Sequence, residues 1–196
     1  MTSLTLEEYK AYLKTNRNFW GIDWDDTSSS WPYFTHPQAK YTDIPFPNRA
    51  GEFAHLAVDL PMLTEMDRVE WGGGTLIFTG WGIWSQQANL AGYQMVERIR
   101  STFGELRPFH LATVNRFRQD ELLLLTNFIL AALVYGWDAY YVPNYEGCFV
   151  HISHDEFCHI VTKRSEDFKQ IIEPRLADPE NGYRVLDESH FCKTFA

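Results

Sequence analysis

The densest run of side chains able to do chemistry is His151-Ile152-Ser153-His154-Asp155-Glu156-Phe157-Cys158-His159. Imidazole, carboxylate and thiolate are all good zinc ligands. Wound as a helix, the run would place His151, His154, Asp155, Cys158 and His159 on one face, at i, i+3, i+4, i+7 and i+8. That spacing supports a metal-dependent hydrolase using His151, His154, His159 and Cys158. The flanking residues argue for a different geometry. Cys148 to Ser153 alternates like a strand and follows Pro143-Asn144-Tyr145-Glu146-Gly147, which is turn chemistry. The run therefore reads as strand, turn, strand, with His154-Asp155-Glu156 at the turn and the histidines pointing in different directions. It also departs from His-Glu-x-x-His, because aspartate follows His154 and His159 comes five positions later. The expectation is no metal and no cofactor. A Cys158 nucleophile paired with His151 or His110 lacks any signature around Cys148, Cys158 or Cys192, and inert buried thiols are expected.

A second reactive run is Asp23-Trp24-Asp25-Asp26-Thr27. It resembles the D-x-D-x-T motif of haloacid-dehalogenase-like phosphotransferases, and Thr79 after Leu76-Ile77-Phe78 resembles that family's second motif. The resemblance implies a phosphotransferase with Asp23 as nucleophile and Asp25 as acid/base. The chain departs from it in several places. Phe19-Trp20-Gly21-Ile22 is a poor buried strand, no glycine follows Asp26, and the alternating βα pattern is missing. Read as a calcium loop, the same run has Ser28 in the glycine position and Phe34 in place of the bidentate glutamate, which excludes an EF-hand. An Asx-rich turn is the plainer reading. Gly72-Gly73-Gly74 has no following lysine, so it is a hairpin tip and not a phosphate loop.

The elements that must position these residues follow from periodicity. Thr5-Leu6-Glu7-Glu8 is a capping box, and Leu6, Tyr9 and Leu13 continue a helix to about Thr15. Residues 16 to 53 read as an irregular aromatic-rich arm. Arg68 to Trp71 and Thr75 to Thr79 read as a hairpin about the glycines. Ser85 can cap a helix to about Phe103 with Ala88, Met95, Val96, Ile99 and Phe103 inward, stopped by Gly104. Phe109 to Val114 reads as a strand. Asp120 can cap an apolar helix, largely buried, over 121–135. Trp137 to Val142, Phe149 to Ser153 and Cys158 to Thr162 are strands. Ser165 starts a short helix with Phe168, Ile171 and Ile172 inward, ended by Pro174, and 177–196 is a polar tail in which Tyr183 to Leu186 can form an edge strand. Hairpins mixed with helices predict an α+β fold: a mainly antiparallel sheet with helices packed on one face, in a single domain over 1–196.

Composition narrows the function. With 26 acidic against 17 basic residues the net charge is −9, and no cluster of Lys and Arg is present to meet nucleic acid. Three cysteines in no framework spacing suit a reduced, cytoplasmic setting. The start lacks a secretory pattern, and the longest apolar run, Leu122 to Tyr135, is too short to cross a bilayer. Trp71, Trp81 and Trp84 read as core.

One further resemblance bears on function. Gly136 to Pro143, a short turn and Phe149 to Glu156 resemble the C-terminal hairpin of small bacterial immunity-type proteins, over residues 120–165. The resemblance implies a non-catalytic inhibitor that occludes a toxin domain. Asp23, Asp25, Asp26, Asp155 and Glu156 would then meet the toxin's basic groups, with Trp24 and Tyr145 as anchors.

Overall fold

The computed structural model describes residues 1–15, 23–24, 32–33, 40–47, 50–64, 72–80, 86–144 and 147–177. Its centre is a seven-stranded sheet. The strands are β1 (Thr2–Leu4), β4 (Lys40–Pro45), β5 (Gly74–Gly80), β6 (Val114–Phe117), β7 (Asp138–Pro143), β8 (Cys148–Ser153) and β9 (Phe157–Thr162). Their order is β1-β6-β5-β7-β8-β9-β4, and every neighbouring pair is antiparallel. A separate two-residue ladder joins β2 (Asp23–Trp24) to β3 (Pro32–Tyr33). The fold is α+β, as the mixture of hairpins and helices predicts.

Strand side chains alternate between faces, and here the two faces differ in chemistry. Ile44, Leu76, Phe78, Phe117, Ala139, Tyr141, Val150, Ile152, Cys158 and Ile160 enter the main core. Helices α2 (Ala50–Thr64), α3 (Gln86–Ser101), α4 (Leu122–Tyr135) and α6 (Glu173–Ala177) contribute Leu56, Leu60, Val96, Phe128, Ile129 and Leu176 to that core. The other face collects Ile77, Val114, Tyr140, Val142, Phe149 and Val161, closed by Tyr9 of α1 (Leu6–Thr15). Burial pushes the Tyr9 phenol up to about 12. Helices α2, α3, α4 and α6 thus share one face, and α1 serves the other.

Local signals account for several elements. Thr5 and Glu8 form the expected capping box: the Thr5 amide donates to Glu8 Oε2 at 2.6 Å, and the Glu8 amide to Thr5 Oγ1 at 3.1 Å. Helix α4 stops at Gly136, whose φ of 59° is left-handed, and the Trp137 amide reaches back to the Ala132 carbonyl at 2.9 Å. The helix is largely buried, though Leu123 and Val134 project outward. Trp137 fills the space between α3 and the sheet. Its indole N–H donates to buried Asn89 at 2.7 Å, and its ring stacks on Tyr93 and Tyr135.

Other expectations are corrected. Strand β5 has β6 on one side and β7 on the other, so no edge is left for a hairpin with Arg68 to Trp71, which lie outside the described residues. The arm assigned to 16–53 contains strand β4 and the start of α2; its remaining residues, apart from the β2–β3 ladder, Phe46 and Pro47, lie outside the described set. Helix α2 carries Pro61 inside it, which masks it in sequence. The buried stripe of α3 runs through Asn89, Gly92, Val96 and Arg100, whereas Met95 and Phe103 are exposed. Gly104 does end that segment, at φ 81°. Phe109–Leu111 is a 3-10 turn ahead of β6, and Asp120 sits in a second such turn, Gln119–Glu121, preceding α4. After α5 (Ser165–Asp167), a π turn over Phe168–Ile172 leads into α6, so Pro174 stands in the first turn of a helix and does not end one. Residues 178–196, including Tyr183 to Leu186, lie outside the described set. Among the described residues no helix is long and apolar enough to cross a membrane.

Candidate functional site

Strand parity decides which reactive groups meet. Val150, Ile152, Cys158 and Ile160 point to the helices, so His151 and His159 point the other way. Register then builds a row across five strands: Ile77 opposite Tyr140, Tyr140 opposite His151, His151 opposite His159, and His159 opposite Asp43. The Tyr140 and His151 rings stack with centroids 4.5 Å apart and planes within 8°. The His159 ring packs on Tyr41 at 4.9 Å.

Two carboxylates organise these imidazoles. His159 Nδ1 bonds to Asp43 Oδ1 between β9 and β4. A carboxylate only accepts, so the proton sits on Nδ1 and Nε2 faces away from Asp43. The second carboxylate is Asp138 at the start of β7. It accepts from the His154 backbone amide at 3.0 Å and from His154 Nδ1 at 2.8 Å, and lies 3.8 Å from His151 Nε2. Burial works against its charge, but the neighbouring His151 ring and the hydrogen bonds from the backbone and ring of His154 outweigh this and hold the Asp138 carboxyl below its usual range.

The β8–β9 connection is a three-residue loop, His154-Asp155-Glu156, between the paired residues Ser153 and Phe157. Glu156 adopts φ 66°, the left-handed position that glycine usually occupies in such loops. The loop is pinned at each residue. The Asp155 amide donates to Ser153 Oγ at 3.1 Å, the Glu156 amide to the Ser153 carbonyl at 3.2 Å, and the Phe46 amide to the Glu156 carbonyl at 2.7 Å. Asp155 and Glu156 are exposed at its tip.

The segment from His151 to His159 is therefore the strand–turn–strand read from its alternation. His151, His154 and His159 share a region but divide between two carboxylates. Cys158 lies on the opposite face, where burial pushes its thiol far up. It cannot join the histidines as a ligand or pair with His151, and His110 is exposed on the turn before β6. Among the described residues no three His, Cys, Asp or Glu side chains gather to hold a metal ion. Asp23 and Trp24 lie in β2, while Asp25, Asp26, Thr27 and Tyr145 fall outside the described residues. Thr79 lies in an antiparallel strand, not the parallel sheet a haloacid-dehalogenase-like phosphotransferase requires. Sequence reading missed Asp43 and Asp138. Their signal is an acid inside a strand pattern, on the parity that faces the histidines.

No family model, no curated protein and no solved structure matches this chain.

Proposed function

We propose that this chain is a non-catalytic, cytoplasmic binding protein of the immunity type, which occludes a basic or nuclease-like toxin domain with the acidic β8–β9 turn. One observation carries the reading: Asp155 and Glu156 stand exposed on a loop fixed by hydrogen bonds at every residue, with Glu156 held at φ 66°. Such a backbone costs about 1–2 kcal/mol in a residue with a side chain. Strain of this kind clusters where a particular side chain is needed. Carboxylates carried on an already fixed backbone lose less entropy on meeting Lys and Arg, and the net charge of −9 steers a basic partner toward them. Asp23, Trp24, Asp25, Asp26 and Tyr145 are the further contacts in this proposal. Co-expression with a toxin encoded beside this chain tests it. The protein should protect cells and copurify with the toxin, and Asp155→Lys with Glu156→Lys should weaken the complex by about 10-fold or more. Killing that continues despite expression of this chain overturns the proposal.

A hydrolase is the second reading, and the Asp43–His159 pair favours it: a buried carboxylate orients an imidazole that remains 28 % exposed. That is the base half of an acid–base device. Turnover of simple phosphodiesters or esters that His159→Gln abolishes would support it.

A further inference from the structure

His154 stands between two carboxylates of unlike exposure. Its Nδ1 is 2.8 Å from Asp138 Oδ2, in a side chain only 9 % exposed, and its Nε2 is 3.6 Å from Asp155 Oδ1, in a side chain 68 % exposed. A neutral imidazole carries one N–H and can donate to only one of them; the imidazolium donates toward both. We infer that His154 is a proton-operated clamp on the acidic turn: charged, it holds the Asp155 side chain and answers its charge; neutral, it frees that side chain, while backbone hydrogen bonds keep the turn, and leaves the turn one unit more negative.

Among the described residues, the charged and titratable groups about this ring are Asp138 from β7, Asp155 and Glu156 from the turn itself, and His151 from β8, whose Nε2 lies 3.8 Å from Asp138 Oδ1. His151 competes for Asp138 Oδ1, while Asp155 has only His154 as its ionic neighbour in this group. The hydrogen bond to Asp138 raises the His154 pKa from its ordinary value, burial opposes this, and the Asp138 and Asp155 charges reinforce the rise. The sign follows. A folded-state pKa above the unfolded one makes the clamp's stabilisation complete below about pH 6.5. It is lost as pH rises through the folded value. Resting on the docking reading, the consequence is that a basic partner gains affinity as His154 loses its proton, and that docking expels that proton.

The clamp is testable in the free, full chain, without any toxin. Ring resonances of His154 should titrate above the ordinary histidine value. The side-chain carboxyl resonance of Asp155 should shift across that same midpoint, while the turn backbone, held by its own hydrogen bonds, stays ordered. In Asp138→Asn the midpoint should drop. Gly80→Ala gives a second route, because its added Cβ would come within 2.4 Å of Asp138 Oδ2 and displace that carboxylate; it too should lower the midpoint while the sheet stays folded. A wild-type midpoint at or below the ordinary value overturns the inference, as does an Asp155 carboxyl resonance that does not follow it. Neither result bears on whether a toxin is bound, so the clamp and the docking reading fail separately.

Discussion

The Asp43 carboxylate and the His159 imidazole, 116 residues apart in the chain, are joined across the β4–β9 pair. Asp43 is 5 % exposed on an outer strand of the sheet, and His159 is the only hydrogen-bond partner of its side chain among the described residues. The bond therefore ties that outer strand to the hairpin carrying the acidic turn. Asp43→Ala should destabilise the protein by about 1–2 kcal/mol in urea unfolding, because water replaces the lost partner of a partly exposed ring only in part. Amide exchange should quicken first at Thr42 and Ile44.

Glu156→Gly should stabilise the protein. Relief of the left-handed backbone returns about 1–2 kcal/mol, and the extra freedom of glycine in the unfolded chain takes back about 0.4–1 kcal/mol. A rise of about 0.5–1 kcal/mol in unfolding free energy is expected, together with weaker partner binding. Unchanged stability would mean that the turn is not strained, and the argument for a retained carboxylate would lose its footing.

The hairpin from β7 to β9 was legible because period-two alternation, a turn and a second alternation lie consecutively in the chain, so the local pattern and the final pairing agree. Helix α4 was legible for the same reason, with Gly136 marking its end. Strand β4 was not. Tyr41, Asp43 and Pro45 give its outer side a polar and irregular look, and its partner β9 lies more than a hundred residues away. Helix α2 was hidden by Pro61, whose missing N–H is tolerated because packing of Leu56, Leu60 and Leu63 holds the helix. Half of the candidate site was visible as histidines. The carboxylates that orient them could be found only from register, which sequence does not supply for strands joined by long connections.

Gly92→Ala separates helix propensity from packing. Alanine is the better helix former by about 1 kcal/mol. Yet an added Cβ would lie 2.7 Å from Trp137 and 2.8 Å from Tyr135. Trp137 is fully buried and Tyr135 stacks on it, so neither ring can give way cheaply. A net loss of about 1–3 kcal/mol is expected in thermal or urea unfolding. A gain in stability would show that the aromatic cluster is loosely packed.

Arg100 poses the converse problem, a charge where an apolar side chain would serve. It is 1 % exposed; among the described residues its Nε donates to Ser3 Oγ at 3.2 Å, Nη1 and Nη2 have no hydrogen-bond partner, and the guanidinium lies over the Phe109 ring at 5.4 Å. Burial lowers its pKa, and the nearby charges of Glu105 and Glu97 offset this only in part. Glu105 is already engaged by Arg107 at 2.7 Å, so removing Arg100 strands no buried anion. Replacing a poorly matched buried charge with a side chain of similar length is often neutral or stabilising. Arg100→Met should therefore raise the unfolding free energy in urea by about 1 kcal/mol after the loss of the Ser3 hydrogen bond. Ser3 keeps its bond to Asn115 at 2.9 Å, so β1 should remain paired with β6 in the variant. A loss of more than about 2 kcal/mol would show that the field of Glu97 and Glu105 matches the guanidinium far better than its unmade hydrogen bonds suggest.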